Sequence, residues 1–235
     1  MNRRPRGRGI PAAGMPGSPG IPGTPGSPGT GRDPAAPRRG TALVLLFCFV
    51  ALMWVIEAAD QVILWATGNP QVLDAHGVEP LQTDGLLGIL FQPLLHGGWP
   101  HLIGNSIALL ILGSIIAMSG VKPLVSVTVI SWLVSGVVSW LIGGVGTVHI
   151  GASGIVFGYI CYVIVRGFFS RKFLHLLIGV LIGLFYGIDA IAGLSPLAEG
   201  VSWQGHLGGA IGGFLSAYGL KRNRTSGQAA AGLPR

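Results

Sequence analysis

The stretch PLVSVTVISWLVSGVVSWLIGGVGTVHIGASGIVFGYICYVIV, residues 123–165, contains no Asp, Glu, Lys or Arg. A helix needs roughly 20 mainly apolar residues to cross the ~30 Å hydrocarbon core of a bilayer. This run is too long for one crossing, and Gly143-Gly144-Val145-Gly146-Thr147 supplies a break. It reads as two helices, over 123–142 and 151–165. Outward from it, uncharged runs of the same character occur at 41–56, 101–118, 173–188 and 203–220. The 235-residue chain is 50% hydrophobic and 10% charged, and its apolar residues are gathered into these runs. The expected fold is an all-α polytopic membrane protein with six transmembrane helices.

The net charge of +7 could suggest nucleic acid, but its distribution reads as topology instead. Lys and Arg fall in the N-terminal tail, at Lys122, at Arg166, Arg171 and Lys172, or after the sixth run. All these places share one side of the membrane. Glu57, Asp60, Asp74, Glu79, Asp84, Asp189 and Glu199 lie in or beside the opposite loops, so both termini are expected to be cytoplasmic. Residues 1–40 carry Gly14, Gly17, Gly20, Gly23, Gly26 and Gly29 at every third position, a collagen-like rhythm too short for a triple helix by itself. They read as a disordered, polyproline-like Arg/Gly/Pro-rich tail whose arginines can touch anionic lipid. The membrane domain follows over 41–220, and 221–235 form a short basic tail. Between the first two spans, residues 57–100 form a long outer segment, acidic at first and apolar near Leu86-Leu87-Gly88-Ile89-Leu90-Phe91. Cys48 and Cys161 lie inside spans and read as small core residues, with neither a disulfide nor a metal site implied.

Polar side chains inside a span are expensive and are functional candidates by default. His101 and Asn105 share one face of the second span, four residues apart. The fourth opens with Gly151-Ala152-Ser153-Gly154, and the sixth with Gly205-His206. Alone, each has a bland explanation: a membrane serine bonds its own backbone, a histidine packs between helices, and a glycine means only packing. Together they coincide in depth, because spans two, four and six all start at the outer face. At 1.5 Å per residue the groups lie roughly 5–10 Å below that boundary, where one water-reachable cavity can contain them. Gly154 and Gly158 form a small-xxx-small pair, and Gly205, Gly209 and Gly213 continue the pattern. Packing through these faces would bring Ser153 within the ~2.6–3.2 Å of His206 that a nucleophile and its general base require.

Three motifs resemble those of the rhomboid intramembrane serine proteases. His101-Leu102-Ile103-Gly104-Asn105 is similar to that family's His-x-x-x-Asn, Gly151-Ala152-Ser153-Gly154 to its Gly-x-Ser-Gly, and His206-x-x-Gly209-x-x-x-Gly213 to its sixth-helix motif. The resemblance covers roughly 41–220 and implies a rhomboid-like bundle acting as a serine-type endopeptidase. Ser153 would be the nucleophile and His206 the general base, a dyad without an acidic third member. The Ser153 N–H, Asn105 and His101 would stabilise the oxyanion, helped by the dipole at the start of the fourth span. Gly151, Gly154, Phe157, Gly158, Gly205, Gly209 and Gly213 would support the site, and His96 fits a structural histidine of the first loop. The Trp-Arg pair common in that loop is absent, with Leu87-Gly88 near its place. Phe157 stands where many members have Tyr.

The resemblance further implies a single-span membrane protein as substrate, its helix entering laterally near spans two and five to be unwound and cut. It implies no cofactor, no metal and no nucleic acid. The compact form points to a bacterial plasma membrane. Other proteolytic chemistries lack their residues: there is no His-Glu-x-x-His, no pair of aspartates within spans and no Gly-x-Ser-x-Gly elbow. A small transporter is disfavoured by the lack of an inverted repeat and of a buried acid. The competing reading is a catalytically silent rhomboid-like protein that binds membrane helices.

Overall fold

A computed structural model of the chain describes residues 36–69, 72–170, 172–197 and 200–230. The expected disordered tail lies, over residues 1–35, outside the described residues. Among the latter the fold is all helical, with α1 Ala36–Thr67, α2 Gly85–Phe91, α3 Trp99–Ala117, α4 Val121–Ile142, α5 Ser153–Phe169, α6 Phe173–Gly193 and α7 Trp203–Ala230. A lone antiparallel bridge joins Val78 to His149. Helices α1, α3, α4 and α6 are long and apolar enough to cross a membrane, whereas α5, at 17 residues, is apolar but shorter. The glycine-rich α7 owes its place to what it packs against.

Two expectations need correction. Helix α1 does not end at 56 but runs through Glu57, Ala58, Ala59, Asp60 and Gln61 to Thr67. These residues are compatible with helix and keep one face inward: Ala42, Leu46, Val50, Met53, Glu57 and Asp60 are buried at three- and four-residue steps. Two carboxylates are therefore buried inside a helix, where the sequence suggested acids only at span ends. Glu57 accepts a 2.9 Å hydrogen bond from Gln61 one turn on. The second correction concerns the cysteines: both are free thiols, but Cys48 is exposed on the outer face of α1 and Cys161 only half-buried.

The break expected at 143–147 is present. Gly143 ends α4, and Gly144 and Gly146 take φ of +89° and +82°, values that glycine adopts without strain. The remaining connections are short. The segment between α1 and α3 folds back onto α4, where Trp132 donates to the Ile89 carbonyl at 2.6 Å and Trp140 to that of Gln82 at 2.8 Å. Gly88 packs against the backbone of Gly77, leaving no room for a Cβ. The segment that lacks a Trp-Arg pair is thus pinned by tryptophans from the helix beneath it.

Helix α7 packs most extensively against α4 and α5, while α6 packs chiefly against α5. The α5–α7 contact is backbone on backbone. A Cβ at Gly209 would fall inside the Gly154 peptide, and one at Gly213 inside that of Gly158. Helix α4 completes the layer with Ser131, Ser135 and Ser139, all buried and spaced one turn apart. Ser131 and Ser135 lie where Gly158 and Gly154 would carry side chains, and Ser135 donates a 2.8 Å hydrogen bond to the Gly205 carbonyl. Small residues here replace apolar bulk with close approach. Gly209→Val is expected to separate α5 from α7 and cost about 1–3 kcal/mol. A lowered thermal midpoint in detergent, against an unchanged one for Gly104→Ala in open space, checks this.

Candidate active site

Helix α5 begins at Ser153 and α7 at Trp203, so Ser153 and His206 both lie in the first turn of helices that touch through glycine. The Ser153 hydroxyl stands 2.8 Å from His206 Nε2. His206 Nδ1 stands 2.8 Å from the Gly193 carbonyl at the end of α6. A carbonyl only accepts, so Nδ1 carries the proton and Nε2 presents a lone pair to the serine hydroxyl. That is the tautomer a general base requires. The Phe157 ring stacks on the imidazole at 3.9 Å between centroids and 9° between planes. Gly193 makes room for both rings, since a Cβ there would come within 2.6 Å of Phe157 Cζ and 3.1 Å of His206 Nδ1.

The turn before Ser153 is held from three sides. Gly151 has φ of +104°, and its N–H donates to the Gln92 carbonyl at 2.7 Å. Its Cα hydrogens face His101 and Asn105: a Cβ would meet His101 Nε2 at 2.6 Å and Asn105 Nδ2 at 3.5 Å. His96 is 1% exposed, packs edge-on against His101 with centroids 5.1 Å apart, and accepts a long 3.5 Å hydrogen bond from the Ala152 N–H. Asn105 is 7% exposed, yet its Nδ2 has no hydrogen-bond partner. A buried amide donor left unmet costs on the order of 1–3 kcal/mol and invites an acceptor. Beside it stands the start of α5, whose first N–H groups favour negative charge. The arrangement can take a proton from Ser153 and hold a developing oxyanion.

The structure brings together Ser153, His206, Phe157, Asn105, His101, His96 and Gly151, with Gly154, Gly158, Gly205, Gly209 and Gly213 in the packing behind them. Sequence reasoning missed Gly193, Gln92, and the pair His149 and Ser202. It also missed Ser131, Ser135 and Ser139, whose four-residue spacing was the available signal. Nothing in the chain marks Gly193, because a backbone acceptor leaves no residue signature. Among the described residues, no group of three or more His, Cys, Asp and Glu comes together to hold a metal ion.

Residues 83–223 match the Rhomboid domain. An uncharacterized protein of Mycobacterium tuberculosis is 38% identical over 80% of this chain and 79% of its own length. One from Mycobacterium leprae is 38% identical over 82% and 78%, respectively.

Burial, with His101 adding to it, pushes the loop residue His96 down to about 4. The unfolded chain binds a proton near the ordinary value of 6.5 that the folded protein refuses until about 4. Stability from His96 is therefore expected to fall as pH drops through that window and to level off below it. Asp74, pushed up to about 6 by burial and then by Asp60 and Glu57, acts with the opposite sign between about 6 and 3.8. Subtracting the thermal midpoint of His96→Gln from that of the native chain at each pH isolates the histidine. A flat difference would contradict its neutral burial.

Proposed function

The chain belongs to the rhomboid family, and on that footing we propose that it is an intramembrane serine endopeptidase cutting a peptide bond in or near a substrate's transmembrane helix. The observation that carries the reading is the Ser153–His206 contact at 2.8 Å, with the far side of the imidazole fixed on the Gly193 carbonyl. Ser153 Oγ attacks the scissile carbonyl as its proton passes to His206 Nε2. The Ser153 N–H, the unmet Asn105 amide and His101 hold the oxyanion. His206 then gives its proton to the leaving amine, and water repeats the sequence on the acyl-enzyme. Gly193 fills the orienting role that an acid has in a triad.

The charge distribution supports six spans with both termini cytoplasmic, α5 and α7 crossing alongside the four long apolar helices. The site then lies just below the outer face, in a bacterial plasma membrane. Helix α6 supports lateral access of a single-span protein: its only buried residues are Gly179 and Ile182, and Phe173, Phe185 and Ile188 are strongly exposed.

Reconstituted protein is expected to cut a model single-span substrate near the outer boundary and to react with a fluorophosphonate at Ser153. Ser153→Ala and His206→Ala should each abolish cleavage in folded, inserted protein, and Asn105→Ala should lower kcat by roughly 10²–10³-fold. Cleavage by pure Ser153→Ala would sink the mechanism. Absence of both cleavage and labelling in the native chain would favour a rhomboid-like protein that binds helices without cutting them.

A further inference from the structure

Just ahead of the helices that carry Ser153 and His206 lies a second contact between the same two residue types, with the types exchanged. His149 precedes Ser153 by four residues, Ser202 precedes His206 by four, and His149 Nδ1 stands 2.7 Å from Ser202 Oγ. The surroundings assign every proton. Thr147 Oγ1 lies 3.0 Å from the Gly143 carbonyl and 2.7 Å from that of Gly144, so its hydroxyl hydrogen is committed to them. His149 Nε2, 2.9 Å from Thr147 Oγ1 and 3.1 Å from the Gly143 carbonyl, therefore carries a proton and donates. Nδ1 is left to accept from the Ser202 hydroxyl. Ser202 Oγ accepts the Gly205 N–H at 3.2 Å, and the Ser202 carbonyl accepts that of His206 at 3.0 Å, so Ser202 caps α7.

The main chain of His149 is also fixed, exchanging two 2.9 Å hydrogen bonds with Val78. The ring is 8% exposed, and burial pushes its titration below the ordinary value, which keeps Nδ1 available as an acceptor. One residue, through its main chain and its ring, thus joins the segment between α1 and α3, the end of α4, the turn leading into α5 and the cap of α7. Nothing in the proposed chemistry uses it.

We propose that His149 is a positioning residue: with Ser202 it clamps the turn carrying Ser153 to the first turn of α7 and so sets the distance between nucleophile and general base. This rests on the protease reading of Ser153 and His206. The glycine contacts fix how closely α5 and α7 approach. The clamp fixes their first turns, where the reacting atoms lie.

The test compares full-length His149→Ala, Ser202→Ala, the double variant and His149→Asn in liposomes, with thermal midpoints measured alongside. Misplacement by ~1 Å can cost about 10²-fold, so each alanine variant should lower kcat by about 10–100-fold with KM nearly unchanged. The double variant should be no slower than the slower single one. His149→Asn, whose Oδ1 falls near the Nδ1 position, should recover much of the rate. Native kcat in both single variants, or losses that multiply in the double, would overturn the clamp. If His149→Ala does not fold, Ser202→Ala and His149→Asn carry the comparison. If the native chain neither cuts nor labels, the protease reading fails on its own, and the clamp is read from the imidazole nitrogen spectrum. Ser202→Ala should then shift the His206 Nε2 resonance toward its position in Ser153→Ala, and an unmoved resonance rejects the clamp.

Discussion

Helices α5 and α7 meet with no side chain between them at Gly154–Gly209 and Gly158–Gly213. In lipid the hydrophobic effect does not drive helices together, so this approach must be held by dispersion and polar contacts. Helix α4 supplies them with a row of serines small enough to lie against glycine, of which Ser135 bonds the Gly205 carbonyl. Everything at the Ser153–His206 end follows from that spacing. Two helices whose first turns are in backbone contact can bring a serine hydroxyl to 2.8 Å from an imidazole nitrogen.

Close packing sets distance but not orientation, and each histidine is oriented by hydrogen bonds it cannot exchange. His206 turns its protonated nitrogen toward the carbonyl at the end of α6 and is covered by Phe157. His149 turns its own toward Thr147 and the end of α4. In both rings the other nitrogen is left to accept from a serine. A carbonyl can do the orienting work of a carboxylate without bringing a buried charge, whose desolvation would be costly. Among the described residues the buried acids are Glu57 and Asp60, both on α1, and the bonds that orient the two rings go to other groups.

The segment between α1 and α3 shows how a missing motif can be replaced by different contacts. Tryptophans of α4 hold the carbonyls of Gln82 and Ile89, and the Val78–His149 bridge ties the start of the segment to the turn before α5. Gln92, at its far end, accepts the Gly151 N–H. The segment thus supports the nucleophile's turn as well as covering it.

The sequence by itself determined the helical class, the break at 143–147 and the identity of the polar residues near the start of three helices. Those features rest on local chemistry: apolar run length, glycine in the positive-φ region, and the cost of polar side chains in lipid. It misread the end of α1, because a helix with one buried face carries acids that composition alone assigns to water. Tertiary structure decided the rest. That His206 is held by the carbonyl of Gly193, that Asn105 is left with an unmet donor, and that His149 meets Ser202 all depend on contacts between distant segments. A backbone acceptor is the same atom in every residue, so no pattern of side chains can announce which one will be used.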